Sequence, residues 1–350
     1  MLKKLSIADI ARELNISKTT ISFIVNKRAE EKRISPGLVK RVEAYIKEVG
    51  YKPNPIAKSL RTGKTNIIGL MVENIADPFF SAVARHIENK AYQSGYKILY
   101  CSTDNNTDKT KELLEMFRER NVDGCIIAPP VGVEQEISSL LASGMPVVFF
   151  DRHLEGIQTD QVEVNNYEST FEATRLLIAE KYKNIGFITF ASSQTQMQGR
   201  LEGYRAAVSE AGLKEFILEI NFDPDERLII DPIVDFIKKH PKMDAVLFSA
   251  IQAGTNGLKA FQKLGTRVPE DLAVIAFDDC DLFELYNPSI TAIYQPIDKI
   301  AEATIDLLLK RLHKKAVAGD FKKVVIPTGF TLRHSSKPVA VRKKTVNKKG

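Results

Sequence analysis

"SIADIARELNISKTTISFIVNK", residues 6–27, spells two short helices and the turn between them. Ile7, Ala8, Ile10, Ala11 and Leu14 recur at helical spacing behind Ser6 as N-cap, with Asp9 three residues later in a capping-box pattern. Ser17 then caps a second helix, with Thr20, Ile21, Ile24 and Val25 on one face and Lys18, Thr19, Ser22, Phe23 and Asn26 on the other. Two such helices joined by a short turn make a helix-turn-helix, whose second helix enters the major groove of a duplex. A third segment, "SPGLVKRVEAYIKEVGY" (35–51), has Ser35 as N-cap, Pro36 at the first helical position and Gly50 near its end, which completes a three-helix domain. Phe23 stands out on the polar face: either the ring meets DNA, or it packs against the loop "KRAEEKRIS" (27–35).

Charge supports the first part of this reading. The chain has 350 residues, 44% hydrophobic and 27% charged, an ordinary globular composition with length for two or three cores. Residues 1–64 carry 15 Lys/Arg against 6 Asp/Glu, while residues 65–336 carry 29 against 38, so a basic head sits on an acidic body. A clustered positive patch is the footprint of phosphate binding. The basic tail, residues 338–350, reads as a disordered end. No run of 18 uncharged apolar residues occurs and the start is polar-interrupted, so the expectation is a cytoplasmic chain with no membrane partner. Cys101, Cys125 and Cys280 are odd in number, far apart and in apolar settings, which reads as buried thiols with no disulfide, metal or cofactor.

Between head and body lies "YKPNPIAKSLRTGKTNIIGLMV" (51–72). Asn54 can cap and Pro55 start a helix that Gly63 ends, about two turns, where roughly 12–15 residues are already marginal alone; it should fold only against a partner. "GKT" (63–65) is not a phosphate loop, because Lys58 stands where that motif needs glycine.

From Asn66 onward, buried-strand runs alternate with helical patterns: "IIGLMV" (67–72), "KILYCS" (97–102), "GCIIAP" (124–129), "PVVFFD" (146–151), "IGFITF" (185–190), "AVLFS" (245–249) and "LAVIAF" (272–277). Such alternation predicts an α/β fold of parallel sheets with crossover helices, and seven strands fit two lobes better than one. Ligands of open α/β sheets bind beyond the carboxyl ends of the strands. Phe79 and Phe80, Asp151, Asp278, Arg200 and, more weakly, Phe222 fall there: aromatic faces for a sugar or flat base, carboxylates for paired hydroxyls or ring N–H groups, a guanidinium fork. Each has a structural alternative: Phe79 and Phe80 as core, the carboxylates as helix N-caps, Arg200 as an inter-lobe ion pair.

"IADIARELNISKTTIS" (7–22), "VGYKPNPIAKSLRTGKTNIIGLMV" (49–72), "DPFFSAVARHIE" (77–88), "VDGCIIAPP" (122–130), "RLEGYRAA" (200–207), "LAVIAFDD" (272–279), "ITAIYQP" (290–296) and "TLRHSS" (331–336) follow one another in the order of a known pattern. The chain resembles the lac repressor (LacI/GalR) family of bacterial transcription regulators over more than 300 residues. What the resemblance implies is a homodimeric repressor or activator of a palindromic operator, with a helix-turn-helix domain (1–53), a hinge helix and linker (54–64) and a two-lobed core (65–337) like the periplasmic sugar-binding proteins. The first lobe would hold about residues 65–164 and 296–327, the second 165–295 and 328–337. The implied DNA-facing set is Ser6, Ser17, Lys18, Thr19, Ser22, Phe23, Asn26 and Ser35 in the head and Asn54, Ala57 and Leu60 in the linker. Lys18 and Thr19 would read base edges, and Leu60 would wedge into the minor groove, where unstacking a step costs a few kcal/mol.

Two departures stand out. The family usually has arginine at the place of Phe23, and the loop after it is longer here. The family's Asn-Asp after the "VLFSA" strand is Ile251-Gln252, so the effector, expected to be a sugar or sugar derivative, meets an apolar wall that Gln196 and Gln295 compensate. A regulator controlled by a protein partner is the alternative. An enzyme using Asp278, Asp279 and His153 lacks a nucleophile–base arrangement, a metal-ligand cluster and a glycine-rich cofactor loop.

Overall fold

The computed structural model describes residues 5–51, 63–223, 225–313 and 319–337. Asn54, Ala57 and Leu60 of the expected hinge helix, and the basic tail, lie outside the described residues. Contacts divide the chain into two units, residues 1–65 and 66–350.

The first unit holds α1 (Ile7–Leu14), α2 (Lys18–Val25) and α3 (Pro36–Glu48). Each begins on a serine. Ser6 and Asp9 exchange bonds, Ser6 N to Asp9 Oδ2 at 2.9 Å and Asp9 N to Ser6 Oγ at 3.2 Å, so two otherwise orphan donors are satisfied reciprocally. Ser17 Oγ accepts from Thr20 N at 3.0 Å and Ser35 Oγ from Leu38 N at 3.4 Å. Asn15, left-handed at φ 52°, closes α1 and starts the turn. Ile10, Ala11, Leu14, Ile21, Ile24 and Val42 are the buried centre, drawn from all three helices.

Two six-stranded sheets build the second unit. The first has order β11-β5-β4-β3-β1-β2, where β1 is Ile67–Val72, β2 Lys97–Ser102, β3 Gly124–Ile127, β4 Val147–Phe150, β5 Asp160–Val164 and β11 Lys323–Ile326. In the second, of order β12-β10-β9-β8-β6-β7, β6 is Ile185–Phe190, β7 Phe216–Ile220, β8 Ala245–Phe248, β9 Ala273–Phe277, β10 Thr291–Tyr294 and β12 Gly329–Thr331. All pairings are parallel except β10 with β12, an antiparallel edge that departs from the all-parallel expectation. β3, β4, β8 and β9 are buried at every residue, as parallel strands covered on both faces must be.

Twelve strands replace the seven expected. The additional five, β5, β7, β10, β11 and β12, are short, half-exposed or alternating, and "DQVEV" or "KVVI" offers no continuous apolar run to read. Helices cover the sheets: α4 (Pro78–Gln93), α5 (Thr107–Glu119), α6 (Glu134–Ala142), α7 (Asn166–Ala179), α8 (Thr195–Glu210), α9 (Arg227–Lys239), α10 (Ile251–Leu264), α11 (Asp281–Leu285) and α12 (Ile297–Leu312). The chain passes between lobes after β5, after β10 and after β11, and the crossings are tied to one another: Asn165 Oδ1 accepts from Thr328 N at 2.8 Å, and the Ser169 and Thr328 hydroxyls meet at 2.6 Å.

Within the second lobe, α7 and α8 touch at the backbone. A Cβ built on Gly203 of α8 would lie 2.2 Å from the Tyr167 carbonyl oxygen and 3.0 Å from Phe171 N, so only glycine fits. Gly203→Ala is expected to push the helices apart and destabilise the protein by ~1–3 kcal/mol, read as a lower denaturation midpoint; an unchanged midpoint would show that this contact yields without cost.

Candidate functional site

On the head, α2 presents Lys18 and Thr19 exposed at its amino-terminal edge, with Ser22, Phe23 and Asn26 half-buried behind them. Asn26 Nδ2 donates to the Ser22 carbonyl at 2.6 Å, so these two side chains belong to the helix end as well as to its outer face. The loop after α2 folds back over Phe23: the Arg28 guanidinium carbon lies 5.7 Å and Lys32 Nζ 5.5 Å from the ring centroid. Glu31 holds both cations, Arg28 by two bonds of 2.7 Å and Lys32 at 3.0 Å, and those bonds draw its carboxyl down to about 2. Of the two alternatives for Phe23, packing against the loop is present in the structure. Ser6, Ser17 and Ser35 all spend their hydroxyls as caps.

In the second unit, Phe79, Phe80, Asp151, Gln196, Arg200, Phe222, Ile251, Asp278 and Gln295 all line one cavity of about 670 Å³ between the lobes. They arrive there on strand ends and on the helices that follow. Asp151 comes directly after β4 and Asp278 directly after β9, the third strand of each sheet, and both take the left-handed conformation at φ 68°. Aspartate tolerates that region better than most residues, and it turns the chain sharply so that the carboxylate heads the strand. Neither is a helix N-cap; that role falls to Asp77, whose Oδ1 accepts from Phe79 N at 2.9 Å. Phe79 and Phe80, 8% and 7% exposed, belong to the core as well as to the cavity wall, Phe80 meeting Phe150 edge-on at 6.1 Å. Phe222 is 60% exposed and edge-on to Phe190 at 5.6 Å.

Arg200 is 3% exposed. Its Nε donates to Asn166 Oδ1 at 2.8 Å, Nη1 to the Ser249 carbonyl at 2.7 Å, and its plane stacks on Phe277 at 3.6 Å. Asp278 Oδ2 lies 3.8 Å away, an ionic neighbour without a hydrogen bond. All these partners belong to the second lobe, so Arg200 is not an inter-lobe pair. Its Nη2 donates to no described residue, and Asp278 Oδ2 likewise accepts from none. Burial draws the guanidinium below its usual value, opposed by Asp278 and Asp151. Burial also raises the Asp77 and Asp278 carboxyls, and pushes Asp151 up to about 6.

Contacts between the lobes were not legible beforehand. Arg152, 1% exposed, donates to Glu73 Oε2 at 3.0 Å within the first lobe and to Gln194 Oε1 at 2.6 Å across the cleft. Gln194 Nε2 returns a bond to Asn105 at 3.0 Å. On the other side Gln252 Nε2 donates to Asp77 Oδ2. The signal for these residues is position alone: each lies within a few residues of a strand's carboxyl end. Asp279 is committed to Arg333 at 2.7 Å and His153 to Glu163, so neither assembles an acid–base pair with Asp278. Among the described residues there is no metal-ligand group of three or more His, Cys, Asp or Glu, and no helix is long and apolar enough to cross a membrane. Cys125 is buried while Cys101 and Cys280 are half-buried, all three as free thiols.

The head matches the model of the bacterial regulatory proteins of the lacI family over residues 6–54, and residues 174–336 match a periplasmic binding protein-like domain. The chain is 29% identical over 316 residues to the HTH-type transcriptional repressor PurR of Photobacterium profundum, covering 89% of this chain and 92% of that one. It is 28% identical over 333 residues to the ribose operon repressor of Halalkalibacterium halodurans, covering 95% and 97%. In structure it is similar to the lac repressor dimer bound to operator and the anti-inducer ONPF, with TM-score 0.82 and 21% identity over 96% of this chain and 100% of that one, a likeness of fold. The capped helix-turn-helix and the two-sheet α/β core therefore belong together: the chain joins a helix-turn-helix domain of the lacI family of bacterial regulatory proteins to a periplasmic-binding-protein-like core, and is similar over most of its length to DNA-binding transcriptional repressors.

Proposed function

We propose that the chain is a homodimeric repressor of a palindromic operator whose DNA affinity is set by a small molecule, a sugar or sugar derivative, bound between its lobes. The observation that carries the DNA half is the exposed Lys18–Thr19 edge of α2 on a unit with 15 Lys/Arg against 6 Asp/Glu over residues 1–64. Lysine offers donors to guanine O6 and N7, and the threonine hydroxyl serves base or phosphate. Two-fold symmetry of a dimer would give the operator its two-fold symmetry. The resemblance assigns Ser22, Asn26, Ser6, Ser17 and Ser35 to contacts flanking these, and Asn54, Ala57 and the Leu60 wedge to the linker.

For the effector half, the cavity between the lobes favours a small molecule over a protein partner, since a concave site of about 670 Å³ is of the size that takes a ligand. The unspent Nη2 of Arg200 and Oδ2 of Asp278 are a donor and an acceptor suited to neighbouring hydroxyls. A ligand that binds differently to the closed and open arrangements shifts DNA affinity by the same coupling free energy that DNA exerts on ligand affinity, ~1–3 kcal/mol in most such systems.

Selection of the purified chain on a randomised duplex pool at low ionic strength should recover one palindromic sequence; binding with no preference over random duplex overturns the DNA reading. Lys18→Ala should cost about 1–3 kcal/mol of discrimination at one base pair per half-site. Phe23→Ala should instead weaken all sequences alike and flatten the salt dependence, because it releases Arg28 and Lys32. Asp278→Asn, which suits the same backbone conformation, should weaken effector binding about 10–100-fold in calorimetry through loss of a charge-assisted bond.

A further inference from the structure

Five carboxylates line the cleft, Glu73, Asp77, Asp104, Asp151 and Asp278, against the single lining guanidinium of Arg200. Four of them are answered from within the protein. Glu73 receives Arg152 at 3.0 Å, and Asp104 receives Lys109 at 2.6 Å. Asp77 accepts from two backbone amides and from Gln252, and Asp278 accepts from Gln295 Nε2 at 2.6 Å.

Asp151 differs. At 8% exposure its carboxylate accepts no hydrogen bond from any described residue. Its nearest cationic atom is Arg152 Nε, 3.8 Å from Oδ2, on a guanidinium whose other nitrogens are taken by Glu73, Gln194 and Asn105. Gln196 and Gln295, 6% and 7% exposed, line the same cavity and donate their NH2 groups to Gln194 and Asp278, while their amide oxygens are buried without a donor among the described residues. A buried carboxylate that accepts no hydrogen bond, its nearest cation 3.8 Å away and engaged elsewhere, is costly, so this end of the cavity is short of hydrogen-bond donors.

We propose that Asp151 is the seat of a ligand ammonium group, and that the effector is an amine-bearing polyol of the amino-sugar class rather than a sugar phosphate or sugar acid. The inference rests on the effector reading above. An ammonium brings a counter-charge and three donors to a carboxylate that has none. A phosphate or carboxylate would bring only acceptors and more negative charge. Burial raises the Asp151 carboxyl, Arg152 and Arg200 lower it and Glu73 and Asp278 raise it, and together they leave it at about 6. Below that pH the carboxyl is protonated and has no charge to offer; as pH rises through it the carboxylate forms, so affinity for an ammonium should rise between about pH 5 and 7.

The test is calorimetric titration of the full chain at pH 7 with D-glucosamine, D-galactosamine and D-mannosamine, each beside its parent hexose and that hexose's 6-phosphate. One amino sugar should bind at least tenfold more tightly than its parent, and the 6-phosphate more weakly than either. Asp151→Asn keeps a residue suited to φ 68°, and should bring the amino sugar down to no better than its parent hexose and abolish the rise of its affinity with pH. A parent hexose or a phosphate that equals or beats its amino sugar overturns this inference and leaves the effector reading standing; so does a preference that survives Asp151→Asn. Silence across the whole panel overturns both.

Discussion

The guanidinium of Arg200 is the point to which the cleft is fixed. A charge at 3% exposure is tolerated only when several groups answer it, and here they come from separate elements: Asn166 at the start of α7, the Ser249 carbonyl after β8, the Phe277 ring and Asp278 at the end of β9. Removing any one leaves a buried charge short of compensation, so the strand ends of the second lobe are held in one arrangement. The bond to Asn166 depends in turn on how closely α8 approaches α7, which the missing side chain of Gly203 permits. A backbone contact three residues along the helix thus sets where the one lining cation stands.

The two lobes repeat one plan and use it differently. Asp151 and Asp278 occupy the same place in the strand order and the same left-handed conformation. Asp278 accepts a hydrogen bond from Gln295, while Asp151 accepts none from the described residues and has at 3.8 Å an arginine already engaged. Between the lobes the direct polar links include Arg152 and Asn105 to Gln194, and Asp77 to Gln252. Bonds of this kind contribute roughly 0.5–1.5 kcal/mol each after exchange with water, more where a charge is involved. A closed state held by a handful of them stands within a few kcal/mol of an open one, which is the range in which a single small ligand can move the balance.

What was legible in the sequence was local or periodic. The serine caps and the three-helix core of the head follow from spacing alone, and the fully buried strands announce themselves as apolar runs. Strand-end position picked out Phe79, Phe80, Asp151, Asp278, Arg200 and Phe222, and the departure from the family pattern added Ile251, Gln196 and Gln295; all nine line one cavity. Hidden were features decided by pairing at a distance: the strands β5, β7, β10, β11 and β12, whose half-exposed patterns match loops as well as edges, and the partners of Arg152 and Gln252. That Asp151 lacks a donor is likewise a property of what the fold leaves beside it, and no reading of "VVFFDRH" contains it.

Phe23 shows how a departure from a family pattern is resolved by its surroundings. An arginine at that position of α2 would present a fork to a guanine; the ring presents none, yet Arg28 and Lys32 lie against it, so cationic groups remain close to the face by way of the loop. Both are held by Glu31, whose carboxyl stays ionised down to about pH 2 and so is present as a competitor under all ordinary conditions. Exposed pairs of this kind are worth little, and a phosphate can displace Glu31 from either cation at small cost. In the proposed reading, position 23 therefore contributes affinity and salt sensitivity through the backbone of the duplex, and the burden of choosing a base passes to Lys18 and Thr19.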